Sequence, residues 1–433
     1  MGPPDGIRPL KLDTAPPRGM RDLLPDEVEL RDRAIALILD VYRRHGFRRI
    51  ETPAVENLRL LTRGEGGENE KLIFKILKRG EKLAGAQEAE DLADLGLRFD
   101  LTVPLVRYYA NNHAKLPHPL KVIQIGPVWR AERPQHGRFR QFTQCDIDIL
   151  GVASEIAEIE LIVATGDALL ALGLDDLTVR LNDRRILAAI ARHCGFDEAR
   201  VHSVFIALDT LDKIGKPGVV KDLEAAGHPA LAIDALFDVL DEAAGAAWRL
   251  DQLSQLLGEH ADPVVWGALT RILRETGQYG DGRFRVTFDP TLVRGMGYYT
   301  GPIFEVQYRD SRSSIAGGGR YDRMIGRLLG RDVPATGFSI GFERVIGILR
   351  EGEPLPAESR ERVALIFEDD TGSLSRVLQE ARRVRNEGRI VSLEVKSKKL
   401  GKQLQELESQ GFRSIGVFAA DGSLEWRGPQ RRG

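Results

Sequence analysis

Residues 120–150 read LKVIQIGPVWRAERPQHGRFRQFTQCDIDIL, and this stretch decides the fold. Its ends, 120–130 and 138–150, alternate at a period of two, which predicts two strands joined by a turn from Ala131 to Gly137. The period puts Arg138, Arg140, Phe142, Gln144, Asp146 and Asp148 on one face. Phe139, Gln141, Thr143, Cys145, Ile147 and Ile149 take the other. A face with two arginines, a glutamine and two acids is costly to bury unless it lines a polar site. A solvated face would favour lysine and glutamate instead. Arginine forks grip phosphate or carboxylate at two points, and an aromatic ring can stack on a base. The acids at the far end suit a cationic or hydrogen-bonding group.

Upstream, residues 26–45 carry an amphipathic helical pattern, with Asp26 and Glu29 spaced as a cap pair and Gly46 suited to the left-handed exit. An extended run from Arg48 to Thr52 stops at Pro53. Residues 62–71 are too polar and glycine-rich for an element. Gly96 to Leu101 reads as a strand, and Thr102 can cap a helix from Val103 to about Asn111. Downstream, 155–280 is mostly helical apart from a strand at 177–181. Strand character returns at 284–289, 303–308 and 337–341, with a helix at about 341–350. Pro354 and Pro356 mark 351–361 as a linker. Beyond it, 363–367, 374–388, 390–395, 398–410 and 413–418 alternate strand and helix, a small α/β domain expected to hold a parallel sheet.

The chain has 433 residues, enough for two or three domains with a real core. Lys+Arg 62 against Asp+Glu 64 gives a formal net charge of −2, and 42% hydrophobic residues is ordinary globular composition. Residues 360–433 hold 15 basic against 11 acidic residues, so the C-terminal piece is mildly basic and the body mildly acidic. No apolar run is long enough for a membrane span, and residues 1–15 lack a secretory signal and read as a disordered tail. Cys145 and Cys194 cannot make a disulfide framework or a cysteine-rich zinc site. These features predict a soluble, cytoplasmic protein.

Gly317-Gly318-Gly319 and Arg294-Gly295-Met296-Gly297 allow close backbone approach to a ligand, but neither has the spacing of a phosphate loop or dinucleotide site. Gly337-Phe338-Ser339-Ile340-Gly341 matches the nucleophile elbow of hydrolases. That chemistry needs a histidine after the serine, and all eight histidines precede it, the last being His260. The hydrolase reading fails on chain order.

Gly126 to Phe142 resembles motif 2 of the class II aminoacyl-tRNA synthetases, and more narrowly that of the histidyl-tRNA synthetase family. Leu292 to Thr300 (LVRGMGYYT) and Ala316 to Asp322 (AGGGRYD) are similar to that family's two histidine motifs. Gly341-Phe342-Glu343-Arg344 looks like motif 3, and the helix–strand–Pro53 segment like motif 1. The resemblance covers about residues 16–418. It implies an α+β fold whose catalytic sheet is antiparallel and six-stranded, flanked by helices, in a catalytic domain over 16–350. It further implies a helical insertion at about 185–280, a shortened anticodon-binding-like α/β domain over 362–433, and a homodimer built on motif 1.

The implied activity is ATP-dependent ligation of L-histidine to tRNA(His) through a histidyl-adenylate, with Mg2+ on the nucleotide and no metal held by protein motifs. The resemblance gives Arg130 the α-phosphate, Arg138 and Arg344 the β/γ-phosphates, and Phe142 the adenine. Arg294 acts at the α-phosphate and carboxylate, as a catalytic residue with Arg130. Asp100, Thr102 and Gln144 hold the α-amino group of histidine, and Leu101 is a further histidine-binding residue. Asp148 and Tyr299 read the imidazole, Tyr298 lines the pocket, and Gln135 touches the tRNA acceptor end. Two departures stand out: Gly297 replaces the family's usual acid before the tyrosine pair, and few residues follow Phe418. Two rival readings are a histidine-sensing regulatory subunit of ATP phosphoribosyltransferase and a paralogue that adenylates histidine for a non-tRNA acceptor.

Overall fold

Proline at the first helical position, followed by Asp26 and Glu27, starts the helix Pro25–Arg44. The expected Asp26–Glu29 cap pair is not used: Leu24 holds the cap position and makes no side-chain cap bond. Proline has no N–H to satisfy there, and its φ is already helical. Gly46 takes the left-handed exit, at φ +83°. The structure, a computed structural model, describes residues 13–62, 68–133, 139–245, 250–293, 298–311, 313–352, 360–368, 374–419 and 421–427. The chain divides into two compact units, Met1–Leu355 and Pro356–Gly433.

In chain order the strands begin with β1 (Arg48–Arg49), β2 (Val55–Asn57), β3 (Lys75–Leu77), β4 (Ala93–Leu97) and β5 (Leu120–Trp129). Next come β6 (Gln141–Leu150), β7 (Leu177–Asp183), β8 (Phe284–Phe288), β9 (Pro302–Tyr308), β10 (Ala316–Arg320) and β11 (Ala335–Ile340). The second unit adds β12 (Arg362–Phe367), β13 (Ile390–Val395), β14 (Ser414–Phe418) and β15 (Leu424–Arg427).

The large sheet runs β1-β5-β6-β11-β10-β9-β7-β8. Its inner six strands pair antiparallel with one another. At the edges β1 pairs parallel with β5, and β8 parallel with β7. The expected six-stranded antiparallel sheet is therefore corrected to a mixed sheet of eight. Parallel neighbours need a crossover connection of a dozen or more residues, and the helices from Arg184–His193 to Pro263–Gly280 are that connection between β7 and β8.

The back of β6 turns Cys145, Ile147 and Ile149 into an apolar core shared with Ile38 and Tyr42 of the first helix and Leu161 and Ala164 of the helix Ile156–Ala171. A smaller sheet, β2-β4-β3, lies in the same unit. There β4 stops at Leu97 instead of running to Leu101. The Arg98 N–H makes one more bond in the β2–β4 register, to Ala54 O, and beyond it Asp100 Oδ1 accepts from Val103 N at 3.0 Å. That bond also makes Asp100, not Thr102, the side chain that caps the helix Thr102–Asn112.

The second unit holds the sheet β13-β12-β14-β15. Its first three strands pair parallel as expected, but β15 adds an antiparallel edge after a turn with Gly422 at φ +80°. Among the described residues, no helix is long and apolar enough to cross a membrane.

The glycine cluster 317–319 is not a turn but the middle of β10, in the interior of the sheet. A Cβ on Gly318 would fall on Gly337 O and press within 2.8 Å of Phe304 and the Phe338 backbone. Backbone cannot yield as a side-chain tip can. Gly318→Ala should therefore destabilise the first unit by roughly 1–3 kcal/mol, read as a lower urea midpoint with little change in slope.

Candidate active site

The alternation of β6 aims Phe142, Gln144, Asp146 and Asp148 at a cavity of about 420 Å³ on the side of the sheet away from the core. Register sets Asp148 opposite Gly337 and Asp146 opposite Ser339, with Gly319 beyond Gly337 and Gly317 beyond Ser339. A Cβ on Gly337 would collide with Asp148 Oδ1, and one on Gly319 would press within 2.9 Å of the Tyr299 ring. Glycine at these two positions is what admits the acid and the aromatic ring.

The alternation breaks down before the strand begins. Arg140 precedes β6; its Nε donates to Glu132 O at 2.9 Å, and it is not among the residues lining the cavity. Phe139, expected on the opposite face, lines the cavity, with the Arg21 guanidinium 4.7 Å from its ring centre. The two-residue period holds only where the β ladder holds.

Asp100, Thr102, Arg130, Phe142, Gln144, Asp148, Tyr298, Tyr299 and Arg344 all line the one cavity. Leu101 does not: its side chain is buried in the interior, and only its carbonyl acts, accepting from Gln124 Nε2 at 3.0 Å. Arg138, Gln135, Arg294 and Gly297 lie outside the described residues. Arg130 is anchored by its Nε to Phe99 O at 3.0 Å, and its guanidinium carbon lies 5.0 Å from the Phe142 ring centre. Arg344 donates to Ser314 O.

Three buried carboxyls crowd the other part of the cavity. Burial pushes Asp148 up to about 7, with the Asp100 charge adding to the rise and the Tyr321 hydroxyl, donating at 2.6 Å, opposing it. Burial likewise raises Asp100 to about 6, against the Val103 N–H and the Arg130 charge. Asp146 is driven well above the ordinary carboxyl range, first by burial and then by Asp148. The Tyr298 ring centre lies 4.8 Å from that of Tyr299 and 6.1 Å from that of Tyr321.

Sequence reasoning gave no role to Tyr321, Asp146 or Glu343. Asp146 was visible on the polar face of β6. Tyr321 and Glu343 become legible only once the strands are paired. Glu343 takes Arg31 through two bonds of 2.7 and 2.8 Å and the Thr143 N–H at 3.0 Å. Burial would raise its carboxyl, but these donors and the Arg21 charge outweigh that and hold it below the usual range.

The arrangement can hold a ligand that is cationic and hydrogen-bonding at one end and anionic and aromatic at the other. Among the described residues no group of three His, Cys, Asp or Glu could cage a metal ion. Comparisons with known proteins agree on the kind of molecule. Residues 19–345 match the family described as Histidyl-tRNA synthetase. A histidine--tRNA ligase from Leifsonia xyli is 47% identical over 416 residues, 94% of this chain and 95% of that protein. A histidine--tRNA ligase from Aeropyrum pernix is 40% identical over 334 residues, covering 76% of this chain and 73% of its own. Among solved structures, histidyl-tRNA synthetase from Nostoc sp. PCC 7120 superposes with a TM-score of 0.76 at 27% identity, over 96% of this chain and 97% of that one. An ATP phosphoribosyltransferase regulatory subunit/histidyl-tRNA synthetase from Bacillus halodurans C shares the fold, with a TM-score of 0.73 at 21% identity over 95% and 99% of the two chains.

The raised Asp148 carboxyl fixes the sign of a pH effect on the ligand-free protein. Its contribution to stability is complete below about 3.8, where folded and unfolded chains both hold the proton, and is lost as pH rises through about 7. Between pH 5 and pH 8 that loss is on the order of 2–3 kcal/mol. Asp148→Asn should narrow the drop in thermal midpoint between those two pH values. An unchanged drop would contradict the assignment.

Proposed function

Because the chain belongs to the histidyl-tRNA synthetase family and ligates histidine to tRNA(His) at the expense of ATP, we propose that this cavity is where histidine is adenylated and then transferred. One observation carries the reading: Arg130, Arg344 and Phe142 share a single cavity with the buried carboxyls of Asp100 and Asp148. From Phe142 to Asp148 the strand spans about 20 Å, room for an amino acid and a nucleotide laid end to end.

In the first step a carboxylate oxygen of histidine attacks the α-phosphorus of ATP, the bond to the β-phosphate oxygen breaks, and pyrophosphate leaves. A terminal ribose hydroxyl of the tRNA then attacks the acyl carbon and AMP departs. Charge builds on the phosphate oxygens in the first step, so fixed cations there lower the barrier. We assign the α-phosphate to Arg130, whose bond to Phe99 O supports a fixed position. Arg344 and Arg138 take the outer phosphates, Phe142 the adenine, and Arg294 the α-phosphate and histidine carboxylate. Asp100, Thr102 and Gln144 receive the α-amino group. Asp148 and Tyr299 receive the imidazole, beside Tyr298. Gln135 meets the acceptor end of the tRNA. A site that hydrogen-bonds both ring nitrogens penalises any side chain that leaves those groups unpaired.

The donor set fits a magnesium ion carried on the nucleotide, not one caged by the protein. Glu132, which lines the cavity with Arg130, would offer it a carboxylate oxygen. When bound, the ion offsets charge on the triphosphate.

Residues 16–350 are assigned to catalysis, with the insertion at about 185–280, a linker at 351–361, and tRNA reading at 362–433. In the second unit Trp426 is 41% exposed and borders a depression with Arg383, Glu387, Arg389 and Arg427, where its ring offers a face for stacking on a base and phosphates would compete with the glutamates for the arginines. A homodimer built on motif 1 is supported by exposed apolar side chains around that segment, Leu24 at 72%, Val28 at 38% and Val55 at 39%. We assign the enzyme to the cytoplasm, a reading supported by its use of tRNA as substrate.

The test is histidine-dependent ATP–pyrophosphate exchange followed by charging of tRNA(His). Both should occur, and absence of exchange sinks the reading of the cavity. Arg130→Ala should cut kcat for exchange by about 10²–10³. Arg294→Ala should abolish exchange while histidine still binds; equal loss of both refutes its transition-state role.

A further inference from the structure

The row of cavity-facing residues on β6 contains one acid that the roles above leave unused. Asp146 sits between Gln144 and Asp148 and is 4% exposed. Its neighbour on β5, Gln124, faces it in register but has its amide engaged: Nε2 donates to Leu101 O, and Oε1 accepts from Thr52. Its neighbour on β11, Ser339, hydrogen-bonds to the carboxyl. Oδ1 of Asp146 has no hydrogen-bond partner among the described residues. Neither do Asp100 Oδ2 and Gln144 Oε1, both buried in the wall of the same cavity. An unsatisfied buried acceptor is costly, and here three share one space. The Asp148 carboxyl differs, since Tyr321 already donates to it.

Three unpartnered acceptors in the wall of one cavity suit one chemical group, a primary ammonium with three N–H donors. We propose that Asp146 is a further ligand of the substrate's α-ammonium, added to Asp100, Thr102 and Gln144, and that this contact sets the discrimination against imidazole compounds lacking a primary amine. The proposal rests on the cavity being the seat of histidine. Its electrostatics are consistent: Asp148 and Asp100 oppose ionisation of Asp146, Arg130 favours it, and the incoming ammonium adds a second positive charge. Desolvation makes that charge pairing stronger than it would be in water.

The experiment titrates the full-length protein with histidine and with imidazolepropionate, which is histidine without its amine. Asp146→Asn should weaken histidine by about tenfold to a hundredfold, leave imidazolepropionate within about twofold, and leave the KM for ATP unchanged. Asp146→Ser, which keeps a small acceptor without the charge, should give the same split and stands in if the asparagine variant does not fold. Asp148→Asn should weaken both ligands together. Parallel loss of the two ligands in the Asp146 variants, or histidine affinity unchanged in them, overturns the proposal. If Asp148→Asn leaves both ligands untouched, the cavity is not the histidine seat and the underlying reading fails instead.

Discussion

Three carboxyls buried side by side are the constraint to which the rest of the catalytic unit answers. Asp100, Asp146 and Asp148 are each at most 4% exposed, and burial is the largest influence on the proton affinity of each. Such groups survive in a folded protein only where donors meet them or where a charged ligand will. The donors are few and specific: Tyr321 for Asp148, the Val103 N–H for Asp100, Ser339 for Asp146. Glycine does the rest, because a side chain at 337 or 319 would occupy the space that Asp148 and Tyr299 need.

The cavity also needs walls that do not drift. Glu343 supplies one fixed point, binding Arg31 of the first helix and the Thr143 N–H of β6. It stands next to Arg344 at the start of the helix Phe342–Glu351, so a single carboxylate ties together the pieces that resemble motifs 1, 2 and 3. The Arg31 side chain is only 8% exposed, so this pair is a partly buried one whose loss on either side would strand a charge. A surface pair would contribute far less.

The β5–β6 pair, the long helical block and the alternating strands and helices of the second unit were legible in the sequence because each carries a strong period. The polar face of β6 from Phe142 to Asp148 was legible for the same reason. Its continuation to Arg140 was not: Arg140 O still accepts from Arg130 N, but Arg140 N donates to Gly19 O, a contact far away in sequence that takes the other half of the ladder pair. Glycine-rich β10 has no side-chain period to read, and it becomes a strand through its neighbours β9 and β11. The cap at Asp100 was missed because Thr102 offers the same hydrogen-bonding chemistry two residues later. Which of them caps depends on where β4 leaves its partner.

The sheet order explains how so large an insertion coexists with so exacting a site. The cavity lies over β6, β11 and β10, third to fifth across the eight strands, whereas the helical block joins β7 to β8 at the far edge. Between them runs β9, paired on both sides, whose buried Ile303, Phe304 and Val306 isolate the two regions. A change in the length of the crossover alters an edge pair that contributes nothing to the cavity wall. The converse does not hold. Any residue that moves β10 relative to β11 shifts Gly319 against Gly337, and with them the room for Tyr299 and Asp148. Tolerance on one side of the sheet and intolerance on the other follow from one topology.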